Sequence, residues 1–135
     1  MGAVAAAGLA WGWFEAGWPR FRELEVGLQD LPPELDGLRI AHLSDFHLGL
    51  PSRGTVAVEQ AIEAGADVMV TPCPLCHLSL DAWQQKLEAS TGRTFKMPVL
   101  HLAQLVGVAA GLEEDELKFK RHIVDPRPAL ERLEV

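Results

Sequence analysis

The sequence predicts an α/β fold, a three-layer, Rossmann-like parallel sheet with flanking helices, preceded by an apolar N-terminal helix. Three short apolar runs, at residues 38–43, 67–71 and 98–100, have the length and composition of buried strands. Segments of helical length lie between these runs and after the last one. Because strands that alternate with helices through short turns pair in parallel, we expect a parallel sheet with helices packed on it.

The helices are predicted from caps, breakers and apolar periodicity. Thr55 can cap a helix over residues 55–63, which Gly65 would end. A second helix is expected from Pro74 to about residue 90, and a third over residues 101–110, ended by Gly111. In the second helix we expect one apolar stripe to face the sheet, formed by Leu75, Leu78, Ala82, Trp83 and Leu87.

Two further elements are predicted outside this alternation. Residues 21–28 alternate apolar and polar side chains, the pattern of a half-buried strand. The region around Asp125-Pro126 and Pro128 is expected to be irregular until a last helical turn at residues 129–133.

Composition and charge exclude some classes of partner. The chain has 135 residues, of which 48% are hydrophobic, enough for one domain with a real core. Its formal charge of −7 argues against nucleic acid as a partner, since little in the chain would neutralise phosphates. The two cysteines are too close together to staple a secreted scaffold, so we expect a cytoplasmic, reducing location.

The N-terminal segment, residues 1–20, is apolar and rich in Ala, Gly and Trp. It has no basic region typical of a signal peptide, and its apolar run is shorter than a membrane-spanning helix requires. Its tryptophans, followed by Arg20 and Arg22, are typical of a membrane interface. The segment is therefore interpreted as a truncated membrane anchor, with membrane contact through residues 1–18. A loosely packed apolar helix is the alternative.

Cys73 and Cys76 form a CxxC motif directly after the predicted strand at residues 67–71. The pattern places Cys73 at a helix N-cap and Pro74 at the first helical position, where its missing N–H costs nothing. Free backbone N–H groups and the helix dipole favour thiolate over thiol at that position. Thiolates are what metal clusters and disulfide exchange require. The alternative is a pair of buried, inert cysteines at a helix start.

The C-terminal half resembles the cysteine-rich CCG-domain family, specifically the C-terminal end of the B subunit of heterodisulfide reductase. The resemblance is carried by the segments AGADVMVTPCPLCH (64–77), PVLHLAQLVG (98–107) and HIV (122–124). It implies an iron–sulfur cluster used in electron transfer to a disulfide, with other redox subunits of a heterodisulfide reductase-like complex as partners. Cys73 and Cys76 match the family's terminal CxxC. The upstream cysteines of the family pattern have no counterpart here, which leaves the ligand set incomplete.

The N-terminal part is similar to the start of a metallophosphoesterase, through the segment LDGLRIAHLSDFHLG (35–49). That resemblance implies that Asp45 and His47 are ligands of a divalent metal (Mn, Fe or Zn) in a hydrolase. The family's later ligand motifs have no counterpart in the chain, and a two-metal site needs them.

Two further hypotheses stay open. Asp45, His47, Cys73 and Cys76 would emerge at one edge of the sheet and could form a single zinc or ferrous iron site. The chain could also be a fusion product with no activity of its own.

The predicted organisation is an apolar segment (1–20), a metallophosphoesterase-like segment (21–62) and a heterodisulfide reductase-like segment (63–135). His101 is expected to cap or pack rather than bind metal, and His77 to be an exposed helical residue.

Overall fold

The computed structural model describes residues 2–15, 21–44 and 53–131. Their centre is a three-stranded parallel sheet in the order β1 (Ile40–His42), β2 (Val68–Thr71), β3 (Val99–His101). Six α-helices are described around it: α1 (Gly2–Glu15), α2 (Arg53–Glu63), α3 (Pro74–Thr91), α4 (Leu102–Ala109), α5 (Glu114–Leu117) and α6 (Arg127–Leu130). Short 3₁₀ turns lie at Pro33–Leu35 and Phe119–Arg121.

The parallel sheet and its alternation with helices confirm the central part of the prediction. Ile40 is opposite Val68, and Met69 is opposite Val99. The Leu43 N–H donates to the Val70 carbonyl at 2.8 Å, which extends the pairing of the first two strands beyond β1. The carboxyl ends of β1, β2 and β3 therefore lie at one edge of the sheet. The candidate site residues come directly after these strand ends in the chain.

Both faces of the sheet are covered by packed residues. Because side chains alternate across β2, neighbouring residues of this strand belong to different hydrophobic clusters. Met69 packs on one face with residues of α2 and α3, in a cluster that includes Val58, Ala61, Leu80 and Leu87. Val68 and Val70 pack on the other face with Leu117, Phe119 and Leu130, and with Leu105 and Val108 of α4 at its margin. All four residues of β2 are buried, as expected of a central parallel strand.

The strand predicted at residues 21–28 is wrong. The structure shows no strand there, and every side chain in that stretch is exposed. Alternation indicates a strand only where a neighbouring strand can take up its backbone hydrogen bonds. No described strand lies beside this segment, and the sheet has only β1, β2 and β3.

The stripe predicted to face the sheet from α3 is also partly wrong. Leu75 and Leu78 are 76% and 60% exposed. The helix buries Leu87 as predicted, together with Cys76, Leu80, Asp81 and Gln84, none of which belongs to the predicted stripe. Asp81 and Gln84 are polar, and their hydrogen-bond partners lie far along the chain. The apolar pattern alone therefore selected the wrong face at the start of the helix.

The predicted N-terminal helix is present as α1. Its side chains at residues 2–12 are all exposed, including Val4 and Leu9. Of the helices in the described ranges, none has the length and apolar character needed to cross a bilayer.

Candidate functional site

The CxxC motif lies at the turn between the end of β2 and the start of α3, as the sequence predicts. Cys73 is the N-cap of α3, with extended backbone angles, and Pro74 occupies the first helical position. The Cys73 N–H donates to Thr71 Oγ1 at 3.4 Å, which fixes the turn that leaves the strand. The two cysteines therefore stand in the first helical turn, at the carboxyl edge of the sheet.

The Cys73 sulfur acts as the capping acceptor of the helix. Its Sγ accepts the Cys76 backbone N–H at 3.5 Å. That N–H is the largest cause that lowers the pKa of the Cys73 thiol, and the Cys76 side chain lowers it further by hydrogen bonding. Desolvation raises this pKa and the Leu75 N–H lowers it by a lesser effect, so that the net shift is downward. A thiolate at this position accepts hydrogen bonds from backbone N–H groups that the helix start would otherwise leave without a partner. Capping therefore favours the thiolate, which is the reactive form, over the thiol.

The two sulfurs differ in access to solvent. Cys73 is half-buried, whereas Cys76 is only 5% exposed and belongs to the inner face of α3. Neither cysteine forms a disulfide in the structure. Cys73 is thus partly accessible at the helix start, whereas Cys76 is buried on the inner face of the helix.

Asp45 and His47, the predicted metal ligands of a phosphoesterase, lie outside the described residues. The structure shows only that β1, which precedes them, pairs with β2. The site predicted from Asp45, His47, Cys73 and Cys76 therefore stays a prediction.

The third strand leads into a helix that a histidine caps. His101 is the N-cap of α4, and its Nδ1 accepts the Ala103 N–H at 3.3 Å. Its own N–H donates to Gln104 Oε1 at 2.9 Å, which completes a capping box. His101 therefore has the capping role that the sequence predicts.

A second group of polar side chains lies behind the CxxC motif and is called the His–Asp cluster below. It consists of His77, Asp81 and His122, each with one potential ligand atom within 4.8 Å of the others, and it has the composition of a possible metal site. His77 is half-buried rather than exposed, with Nε2 3.0 Å from the Val99 carbonyl. The His77 and His122 rings meet edge to face at 4.7 Å.

Existing hydrogen bonds already engage most of the cluster. The buried Asp81 carboxylate accepts the backbone N–H groups of Ile123 at 2.7 Å and Val124 at 2.9 Å. Gln104 is oriented by two bonds, since its Oε1 accepts from His101 and its Nε2 donates to the Leu117 carbonyl at 2.8 Å. Its Nε2 also lies 2.9 Å from His122 Nε2, so that ring nitrogen is an acceptor.

The orientation of Gln104 decides the tautomer of His122. With Nε2 accepting, a neutral His122 carries its proton on Nδ1, which is buried and makes no hydrogen bond of ordinary geometry. Metal binding at Nδ1 would require that proton to leave and Gln104 to turn. Desolvation lowers the pKa of His122, repulsion from His77 adds to it, and Asp81 opposes both. The network thus fastens the C-terminal segment to α3.

Sequence reasoning missed Asp81, Gln104 and His122 as parts of this network. Asp81 and His122 lie 41 residues apart, and no spacing rule joins them. The one available signal was position: Asp81 falls one helical turn after His77, on the same side of α3.

Several curated relatives are similar to part of the chain. The 8-methylmenaquinol:fumarate reductase membrane anchor subunit of Wolinella succinogenes is 38% identical over 86 residues, which is 59% of this chain and 30% of the relative. The B subunits of two heterodisulfide reductases are each 39% identical. These are the ferredoxin/F(420)H(2)-dependent CoB-CoM enzyme of Methanosarcina acetivorans (61 residues, 45% of this chain) and the ferredoxin:CoB-CoM enzyme of Methanosarcina mazei (62 residues, 46%).

These similarities are partial on both sides. The matched region covers 20% and 21% of the two heterodisulfide reductase relatives and 30% of the membrane anchor relative, so this chain corresponds to a fraction of each relative's length. No protein-family profile matches the chain. The resemblance to heterodisulfide reductase is supported over somewhat less than half of the chain. None of these relatives is named as a phosphoesterase, and the metallophosphoesterase resemblance has no support.

Proposed function

We propose that this chain is a redox subunit of the heterodisulfide reductase type, in which Cys73 and Cys76 supply the sulfur ligands or redox groups. The observation that carries the proposal is the Cys73 sulfur at the N-cap of α3, held as the acceptor of a backbone N–H. The named relatives support the redox assignment, since two of them belong to heterodisulfide reductases.

The position of the pair in the fold favours a functional role over an inert one. A structural cysteine is buried among apolar side chains, whereas Cys73 is half-buried and hydrogen-bonded to main-chain donors. In a Rossmann-like three-layer arrangement, such as the sequence predicts, ligands bind at the carboxyl ends of the strands. Cys73 follows the carboxyl end of the central strand.

An iron–sulfur cluster fits this chain only in part. A four-iron cluster takes its ligands from about four cysteine thiolates. These 135 residues contain two cysteines, so the other ligands would come from outside them. We therefore propose Cys73 and Cys76 as two ligands of a shared cluster, with redox subunits of a heterodisulfide reductase-like complex as partners.

Membrane contact through residues 1–18 belongs to the same proposal. One of the relatives is named as a membrane anchor subunit, and α1 exposes Val4, Leu9 and Trp11. We propose that these exposed apolar side chains make that membrane contact.

Anaerobic reconstitution tests the ligand role. The reduced chain is incubated with ferrous iron and sulfide, in the presence of a small monothiol that can fill the coordination positions the chain leaves open. After desalting, we expect bound iron and sulfide with visible charge-transfer absorption. Cys73→Ser and Cys76→Ser should each lose most of it, because removal of one thiolate opens the chelate.

The matched control is Leu78→Ser, which introduces the same side chain at an exposed position of α3 outside the motif. This variant should bind iron as the unmutated chain does. Equal iron binding by the unmutated chain and the Cys73→Ser, Cys76→Ser double variant would show that the thiols do not ligate a cluster.

A further inference from the structure

We propose that the cluster-free chain is a dithiol–disulfide couple, in which Cys73 is the attacking thiol and Cys76 the resolving thiol. The substrate class is a disulfide, on a small molecule or on a partner protein. This inference rests on the proposed redox function and assigns separate roles to the two sulfurs of that site.

Access separates the two roles. An incoming disulfide must reach the attacking sulfur along the S–S axis, which requires an exposed thiolate. Cys73 is half-buried at the helix start, whereas Cys76 is 5% exposed on the inner face of α3. An external disulfide can therefore reach Cys73 more readily than Cys76.

Proximity allows the second step. The Cys76 backbone nitrogen lies 3.5 Å from Cys73 Sγ. The CxxC spacing puts both cysteines in the first turn of α3, so the resolving thiol is close in the chain to a mixed disulfide formed on Cys73.

The reaction balances without an added cofactor. The Cys73 thiolate attacks one sulfur of the disulfide, forms a mixed disulfide and releases the other sulfur as a thiolate with the bonding electron pair. Cys76 loses its proton to solvent and attacks Cys73 Sγ, forming the Cys73–Cys76 disulfide and releasing the second thiolate. The chain loses two electrons and two protons, and the external disulfide is reduced to two thiols.

Glutathione disulfide is the probe for the test. The reduced, iron-free chain is mixed with it anaerobically, quenched with acid and measured by intact mass. We expect the unmutated chain to lose two hydrogens in mass and retain no glutathione. Cys76→Ser should accumulate one glutathione, because the resolving thiol is gone. Cys73→Ser should react at least about ten-fold more slowly, because its remaining thiol is buried.

Two controls isolate the folded geometry. Leu78→Ser, an exposed position of α3 outside the motif, should behave as the unmutated chain, and in denaturant Cys73→Ser and Cys76→Ser should react at similar rates. Equal rates for the two single variants in the folded state, or two glutathiones on the unmutated chain, would overturn the assignment.

The outcome is separable from that of the cluster proposal. Thiolate-dependent iron binding with equal reactivity of the two cysteines would reject the dithiol roles alone. Selective reaction at Cys73 without iron binding would reject the cluster ligand role and leave the dithiol couple standing.

Discussion

His122 shows how one buried side chain couples the fold to pH. Its ring lies between His77 and Phe119, and its Nε2 accepts from Gln104. Both desolvation and the neighbouring His77 disfavour the charged form, so the folded-state pKa lies below 6.5, although Asp81, Asp125 and the Val99 carbonyl pull the other way. The unfolded chain accepts a proton at a higher pH than the folded chain does.

The sign of the pH effect follows from that difference. The contribution of neutral His122 to the free energy of unfolding is complete above pH 6.5 and is lost as pH falls through the lowered folded-state pKa. We expect stability, measured by urea unfolding between about pH 5 and pH 7.5, to decline on the acid side. His122→Gln keeps an acceptor for Gln104 and should flatten that decline.

His42→Gln is the control, because His42 is exposed on β1, outside the cluster. It should retain the acid-side decline of the unmutated chain. The same acid-side slope in His122→Gln would show that another group controls this pH dependence.

At the scale of the element, α3 is defined by the polar residues that it buries. Gln84 is 1% exposed, and its side chain makes two bonds to the backbone of Met97. Its Nε2 donates to the Met97 carbonyl at 2.7 Å, and its Oε1 accepts the Met97 N–H at 2.8 Å. This pairing satisfies the backbone N–H and carbonyl of Met97, just before β3, where no described strand takes up these hydrogen bonds.

Gln84→Leu should destabilise the fold strongly. The substitution keeps an apolar residue of similar size but leaves the Met97 N–H and carbonyl buried and unpaired. We expect a loss of about 2–4 kcal/mol in the free energy of unfolding, the sum of two desolvated groups less the gain in apolar burial. Chemical denaturation is the measurement.

Gln85→Leu is the matched control for Gln84→Leu. It makes the same change one position along, at an exposed site, and should change stability by less than about 0.5 kcal/mol. Equal losses for the two variants would show that the Met97 pairing contributes nothing.

At the scale of the whole molecule, the described core lies entirely between Ala41 and Leu130. Both hydrophobic clusters draw their members from this range, and residues 2–12 and 21–30 are exposed throughout. None of the described side chains of the N-terminal helix, at residues 2–12, belongs to either cluster. We therefore expect the sheet and its packed helices to form the cooperative unit of folding.

Deletion of residues 1–20 tests that division. Because the segment adds no described side chain to the core, we expect the midpoint of thermal unfolding to change by less than about 2 °C. Circular dichroism of the shortened chain is the measurement, and it should lose helical signal without losing cooperativity. A drop of several degrees would mean that the N-terminal segment packs on the sheet.

The local sequence determined the parallel sheet, the bounds of α3 and α4, and the place of the two cysteines. Each depends on neighbours in the chain: a branched run makes a buried strand, a Pro after an N-cap starts a helix, and His101 caps the residues that follow it. The same rules predicted a strand at residues 21–28, and they failed there because pairing needs a partner that local pattern cannot supply.

Only the tertiary structure decided which face of α3 is buried and which cysteine is reachable. The inner face follows from contacts with Met97, Ile123 and Val124, which lie 13 to 43 residues from their partners in the helix. Those contacts turn Cys76 and Asp81 inward and leave Leu75 and Leu78 in solvent. Burial is a property of the assembled layers, so a helix pattern read in isolation cannot fix it.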